Sequence, residues 1–269
     1  MDGGTPTALE RRLPGGGEMG ARVRAFDWSR TSLGPIACWP DALVAAVRLA
    51  LDSRYAMFVW WGEDLIQFYN DAYIPILGAR HPDALGRPAS ETWRDIWDTV
   101  GVLAATVLRE GRGTWSEELL LVMHRHGYPE EAYFTFSYSP VRAADGTVAG
   151  VFCAVTEDTR RILGERRLAT LGALAQATAR VRTVDEVCTL AAGVLDGNRR
   201  DLPFAAIYLF DDQGRRARLA AAAGIPPGTR PAPEQIDVAD ETWPMAAVLA
   251  RGEMVVLDDA AARFGPLPG

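Results

Sequence analysis

The stretch "YFTFSYSPVRAADGTVAGVFCAVTEDT" runs from Tyr133 to Thr159. Aromatic and aliphatic residues alternate with small or polar ones, the period-two pattern of a half-buried strand. The alternation halts at Ala143-Ala144-Asp145-Gly146, where Asp-Gly marks a hairpin turn, and then resumes. It halts again at Glu157-Asp158-Thr159, and an arginine-rich helical pattern follows at once. No Gly or Pro occurs between Gly150 and Gly164. The segment therefore reads as a long hairpin whose second strand enters a helix without a flexible joint.

Working outward, "YAMFVWWG" and "DLIQFYN" read as strands 56–61 and 65–69, joined at Gly62-Glu63. "NDAYIPILG" reads as a short helix from Asn70 to Gly78, kept short by Pro75. Ile96, Val100, Leu103 and Val107 share one face of a longer helix that Gly111 stops. "TWSEELLLVMHR" is a third strand, and 131–142 and 147–156 are the fourth and fifth. Strands, then helices, then strands give an α+β class: one five-stranded antiparallel sheet with helices on one face. Before it, Leu43, Val47 and Leu51 predict a helix that opens at Asp41, its N-cap or first-turn acid.

After Thr159 the period changes. Leu168, Leu171, Leu174 and Val181 form a narrow apolar stripe preceded by Arg160, Arg161, Glu165, Arg166 and Arg167. The reading is a helix that continues past Val181 and pairs with a second copy, making those four residues a dimer interface. "TVDEVCTLAAGVL" is another helix, "FAAIYLFDDQGRRARLAAAAG" a hairpin, and "GEMVVLDD" a further strand.

Composition excludes several functions. With 28 basic against 35 acidic residues the net charge is −7, which supplies no basic stripe for nucleic acid. No stretch reaches the roughly 18 uninterrupted apolar residues of a membrane span, and "MDGGTPTALERRLPGGGEMG" lacks the apolar core of a signal peptide. Three scattered cysteines, Cys38, Cys153 and Cys188, fit a reducing compartment, so the expectation is a cytoplasmic protein. "LREGRGTW" lacks the third glycine of a dinucleotide cradle. No nucleophile motif, phosphoacceptor-histidine motif or ATP-binding motif is present, so the chain is not expected to be an enzyme by itself.

Residues 22–159 resemble a PAS domain. "IQFYNDAYIPILG" resembles its strand, Asn and helix ending in Leu-Gly. "FSYSPVRAADGTVAGVFCAVTEDTRR" resembles its last two strands, its Asp-Gly turn and its closing Asp-x-Thr, which the reading assigns to Asp158 and Thr159 as signalling residues. "WWGEDLIQFYNDAY" and "HGYPEEAYFTFSYSPVR" resemble a subgroup at the front of bacterial sensor histidine kinases. "TVDEVC", the later hairpin and "GEMVVLDD" resemble the first part of a GAF domain. The implied organisation is a flexible leader 1–20, a PAS sensor domain with N-terminal helical cap 21–158, a signalling helix 159–182 and a partial GAF domain 183–269. The implied function is the input region of a two-component sensor histidine kinase, working as a homodimer on a C-terminal output domain. The alternatives are input to a phosphatase or a cyclic-dinucleotide enzyme, a non-sensing dimerisation scaffold, or a stand-alone enzyme using the aromatic cluster.

That cluster is Phe58, Trp60, Phe68, Tyr73, Trp93, Trp97, Phe134, Phe136, Tyr138 and Cys153. It is either a core filled by large side chains or a pocket for a small organic ligand. The cofactor is left unknown. The flavin-adduct photosensors of the family carry a reactive Cys where this chain reads "HPDALGRPASETWRDIW", which argues against a flavin adduct. Cys38 and Cys188 lie outside the attachment motifs of bilin photoreceptors, which argues against a covalent bilin. His124 and His126 stand two apart, and His81 precedes Pro82, but no third ligand lies near enough in sequence to make a metal site.

Overall fold

The alternation at 133–159 folds as two paired strands in the computed structural model of the chain, which describes residues 11–179 and 181–268. The chain divides between Ile162 and Leu163 into two units.

In the first unit, helices α1 (Gly17–Ala25) and α2 (Asp41–Asp52) precede the sheet. Strands β1 (Met57–Trp61) and β2 (Ile66–Tyr69) form the first hairpin. Short helices α3 (Ile74–Leu77) and α4 (Ala89–Thr92) and the longer α5 (Trp97–Glu110) follow, then β3 (Thr114–Met123), β4 (Glu130–Arg142) and β5 (Val148–Glu157). All neighbours pair antiparallel, in the order β2-β1-β5-β4-β3. The last strand is therefore the central one. The turn into it holds Gly146 at φ +87, and Asp145 Oδ1 accepts from the Thr147 amide at 2.9 Å. Gly150 lets β1 and β5 approach, because a Cβ there would lie 2.5 Å from the Trp60 carbonyl oxygen.

Period-two pleating sends Phe58, Trp60, Phe136, Tyr138, Val151, Cys153 and Val155 to one face. There they meet Trp93, Ile96 and Val100 from the helical layer between β2 and β3. Helices on one face, as expected, describes only this layer. Phe68, on the opposite face beside Val59, packs against Trp28 at 4.8 Å and Trp39 at 5.2 Å. The N-terminal segment thus covers the far side of β1 and β2, with α2 burying Leu43, Val47 and Leu51. Asp41 is the first residue of α2 and an acid in its first turn, with Pro40 at the cap position.

The expected flexible leader 1–20 is corrected over its described part; residues 1–10 lie outside the described residues. Leu13 and Met19 are fully buried. Asp71 Oδ1 and Oδ2 accept from the amides of Met19 at 2.7 Å and Glu18 at 3.0 Å, which caps α1. Arg24 donates to the carbonyls of Leu13 and Gly15. The glycines shape a turn between two anchors.

The second unit contains most of α6 (Thr159–Thr178), then α7 (Val184–Asp196), β6 (Ala205–Phe210), β7 (Arg216–Ala223), β8 (Gln235–Asp237), α8 (Met245–Arg251) and α9 (Ala260–Phe264). Its sheet has the order β6-β7-β8, and α7 packs on β6 and β7. Two expectations are corrected here. Helix α6 stops at Thr178, so Val181 lies beyond it. A separate helix starts after it: Thr183, the N-cap of α7, accepts at Oγ1 from the Glu186 amide at 3.3 Å and donates to Glu186 Oε2 at 2.9 Å. Residues 253–258 form no strand, and Met254 is 89% exposed. Their β-branched run pairs with none of β6, β7 or β8. Among the described residues no helix is long and apolar enough to cross a membrane.

Two predictions follow from these anchors. Leu13→Ala should lower unfolding stability by about 2–3 kcal/mol in a urea titration followed by tryptophan fluorescence; a loss within 0.5 kcal/mol, roughly the size of a surface effect, would mean the segment is a mobile leader after all. In the second unit, Arg166 grips Asp201 through Nε at 2.9 Å and Nη2 at 2.5 Å, and the bonded guanidinium holds that carboxyl down at about 2. A depressed carboxyl contributes stability that is present above its unfolded value and is lost as pH falls through the folded one. The unit's melting temperature should therefore fall between about pH 4 and pH 2, and Asp201→Asn should flatten that fall.

Candidate functional site

The inner face of the five-stranded sheet and its helical layer enclose a cavity of about 30 Å³. Of the ten aromatic-cluster candidates, Phe58, Trp60, Tyr73, Trp93, Phe134, Phe136, Tyr138 and Cys153 line it. Phe68 does not, because it points to the far face against Trp28 and Trp39. Trp97 does not either; it stands behind Trp60, with ring centroids 5.7 Å apart. Ile76, Ile96, Val100, Leu121, Met123 and Val155 complete the wall. Sequence reasoning looked for aromatics and missed these aliphatics, although Ile96 and Val100 were legible as the inward face of α5.

The polar groups of this wall fall into two kinds. The indole Nε1 atoms of Trp60 and Trp93 both donate to Gln67 Oε1, at 3.0 and 2.7 Å. Gln67 itself is fully buried. The side chains of Tyr73 and Tyr138, by contrast, make no hydrogen bond among the described residues, although both residues are buried. Burial pushes both hydroxyls and the Cys153 thiol well above their ordinary ranges, so all three are neutral near pH 7. Cys153 sits across from Phe58 on β1 and from Tyr138 on β4.

Four residues past Cys153, β5 ends in a cluster of bonds. Arg125, almost fully buried, donates from Nη1 and Nη2 to the two carboxylate oxygens of Glu157 at 2.8 and 2.6 Å, a bidentate pair. Its Nε reaches Glu130 at 3.3 Å, and Glu130 also bonds His126 Nδ1 at 2.6 Å. Thr159 Oγ1 donates to Glu157 at 3.1 Å and accepts from the Tyr133 amide at 2.9 Å. The Asp158 amide donates to the Tyr133 carbonyl at 2.8 Å. Arg161, in the first turn of α6, bonds Glu118, which sits at φ +49 in the β3 bulge.

The PAS fold family matches residues 52–162. Residues 52–162 are a PAS domain. Among solved structures, a sensory box sensor histidine kinase from Vibrio cholerae is 16% identical over 44% of this chain and 87% of its own, with a TM-score of 0.30. The PAS domain of Bordetella pertussis BvgS is 17% identical over 48% of this chain and 96% of its own, with a TM-score of 0.33. No curated protein matches the chain.

Within the PAS domain, the assignment of its closing motif needs one correction. An acid and a threonine separated by one residue are Glu157 and Thr159, and their side chains bond each other. Asp158 lies between them: its carbonyl accepts from the Ile162 amide at 3.0 Å, opening the helix, while its Oδ2 is buried without a partner. Arg125 was hidden in the sequence between two histidines that drew attention as ligands. Those histidines go to separate acids, His126 to Glu130 and His124 to Asp95. His81 bonds the Tyr69 hydroxyl at 3.0 Å and Glu18 at 3.2 Å. Cys38 is exposed and Cys188 is buried in α7; neither lines the cavity.

Glu157→Gln should break the bidentate pair and leave Arg125 with Glu130 alone. The expected cost is about 2 kcal/mol, read locally as amide exchange at residues 159–162 faster by about ten-fold or more. Unchanged exchange there would show that the pair does not hold the start of the helix.

Proposed function

We propose that the chain is the cytoplasmic input region of a bacterial signal-transduction receptor, of the two-component sensor histidine kinase class, in which the state of the PAS cavity biases the helix that leaves it. The supporting observation is a shared strand. Cys153 and Val155 line the cavity, and Glu157 follows them at the same period-two spacing to bind Arg125 at the root of α6. Between the end of β5 and the start of α6 lies the single residue Asp158. A change in cavity packing that shifts β5 is thereby presented to the helix with no loop to absorb it. Two arrangements of the junction, differing in free energy by a few kcal/mol, would be enough for a stimulus to redistribute.

The output side of the reading is a homodimer through α6. Leu168 and Leu171 are 69% and 61% exposed, and no residue of α6 is buried. Pairing with a second copy would bury that stripe. The second unit we take as the opening part of a GAF domain, from its helix followed by the β6–β7 hairpin and β8. The C-terminal output domain of the receptor would be driven through these elements.

The test joins the chain through its C-terminus to the catalytic core of a histidine kinase and measures autophosphorylation. Arg125→Gln should change the basal rate several-fold, and Leu171→Glu should abolish activity and reduce the light-scattering mass of the chain toward a monomer. A dimer indifferent to Leu171→Glu removes α6 as the interface. Autophosphorylation indifferent to Arg125→Gln removes the junction as the relay.

A further inference from the structure

The cavity's polar accounting singles out what it can hold. A buried hydroxyl without a partner is costly, and native cores keep few of them. Tyr73 and Tyr138 both line this cavity, and neither side chain makes a hydrogen bond among the described residues. The neighbouring indoles cannot relieve them, because they are donors only and already bonded to Gln67. Among the lining residues none is charged. The nearest cations that act on Tyr73, Arg80 and Arg125, are held by Asp95 and by Glu157 with Glu130. A carboxylate or ammonium entering here would lose its hydration with no countercharge to replace it. The thiol of Cys153 is fully buried and neutral, so it offers no thiolate for covalent capture.

We infer that the PAS cavity takes an uncharged ligand of a few heavy atoms bearing a hydrogen-bond acceptor, which receives the hydroxyl hydrogen bonds of Tyr73 and Tyr138. The inference rests on the reading of this cavity as the sensing site. Size follows from the volume: about 30 Å³ of solvent-accessible space is roughly two to three times what a single water needs. The flexible thioether of Met123 in the wall gives the cavity its means of enlarging. A planar cofactor is far too large for this space, and an anion is wrong in charge.

The experiment uses the whole chain labelled with ¹³C at methionine methyls, and follows Met123 by NMR. Acetone and acetate are the probes, since they match in heavy-atom count and shape but differ in charge. Acetone should shift the Met123 methyl saturably, with acetate at least ten-fold weaker at equal ionic strength. Tyr73→Phe and Tyr138→Phe should each weaken acetone about three- to ten-fold, one hydrogen bond's worth. Without ligand, both variants should melt at or above the parent's temperature, since each removes a hydroxyl that lacks a partner. Acetate binding as well as acetone would overturn the ligand class while leaving the cavity a sensing site. A methyl that responds to neither probe would overturn both, leaving a filled core. Unliganded variants that melt lower would show the hydroxyls already satisfied by trapped water, and would overturn the inference. The junction's part in signalling is judged separately, by the kinase fusion.

Discussion

The central position of β5 is the constraint on which the rest of the PAS unit depends. A strand at the centre of an antiparallel sheet is bonded on both edges, so its register cannot slip without breaking both ladders. Here one ladder runs to β1 and the other to β4. Because β5 is also last in the chain order of the sheet, its exit is the only point where this rigidity meets a helix. Gly150 at its start admits the Trp60 carbonyl, and Cys153 in its middle touches the cavity. The same ten residues therefore carry packing, cavity wall and exit.

The helical layer and the sheet are joined at two levels. Deep in the core, Gln67 on β2 accepts from Trp60 on β1 and from Trp93 next to α4. Those bonds fix both indoles, while Gln67 Nε2 is buried without a partner. Nearer the rim, Arg80 lies over the Trp93 ring at 4.8 Å and pairs with Asp95, whose Oδ2 also accepts from the His124 amide at 2.8 Å. The loop that carries Arg125 thus leans on the helical layer through its backbone and on β5 through its guanidinium. Contacts of this kind become a signalling path only when a two-state element responds to them.

Much of the sheet was legible in the sequence, because period-two alternation and the Asp145-Gly146 turn are local signals. The five strands of the PAS unit fall within a residue or two of the spans read from residues alone. What local signals could not show was which face a strand residue takes once a second layer exists. Phe68 was expected in the cavity and lies on the far side, since nothing in "DLIQFYN" reveals that Trp28 and Trp39 cover that face. The leader was misread for the same reason: Leu13 and Met19 are single apolar residues in a Gly/Pro-rich tract, and only tertiary contact makes them core. The N-cap Thr183, with Glu186 three residues on, was present in the sequence and marked the start of a separate helix after Val181. The extended stretch near Met254 had strand composition but no partner strand, and β propensity without a partner does not make a ladder.

The choice of an ion pair at the root of α6 has a physical logic of its own. For stability alone, a buried pair is often no better than well-packed apolar groups of similar volume, because desolvation offsets the Coulomb gain. What a bidentate Arg–carboxylate pair adds is direction: two parallel bonds fix the plane of the guanidinium against that of the carboxylate. Apolar packing at Glu157 would tolerate small rotations of the strand end, whereas the paired planes resist them. Arg125 is also held on its own backbone, its carbonyl accepting from the Ala79 amide at 2.9 Å beside Gly78. There a Cβ would meet that carbonyl oxygen at 2.8 Å. The end of α3, the loop and the last residue of the central strand are therefore tied in one geometry. Any rotation of β5 would have to carry the loop with it or part the Arg125–Glu157 pair.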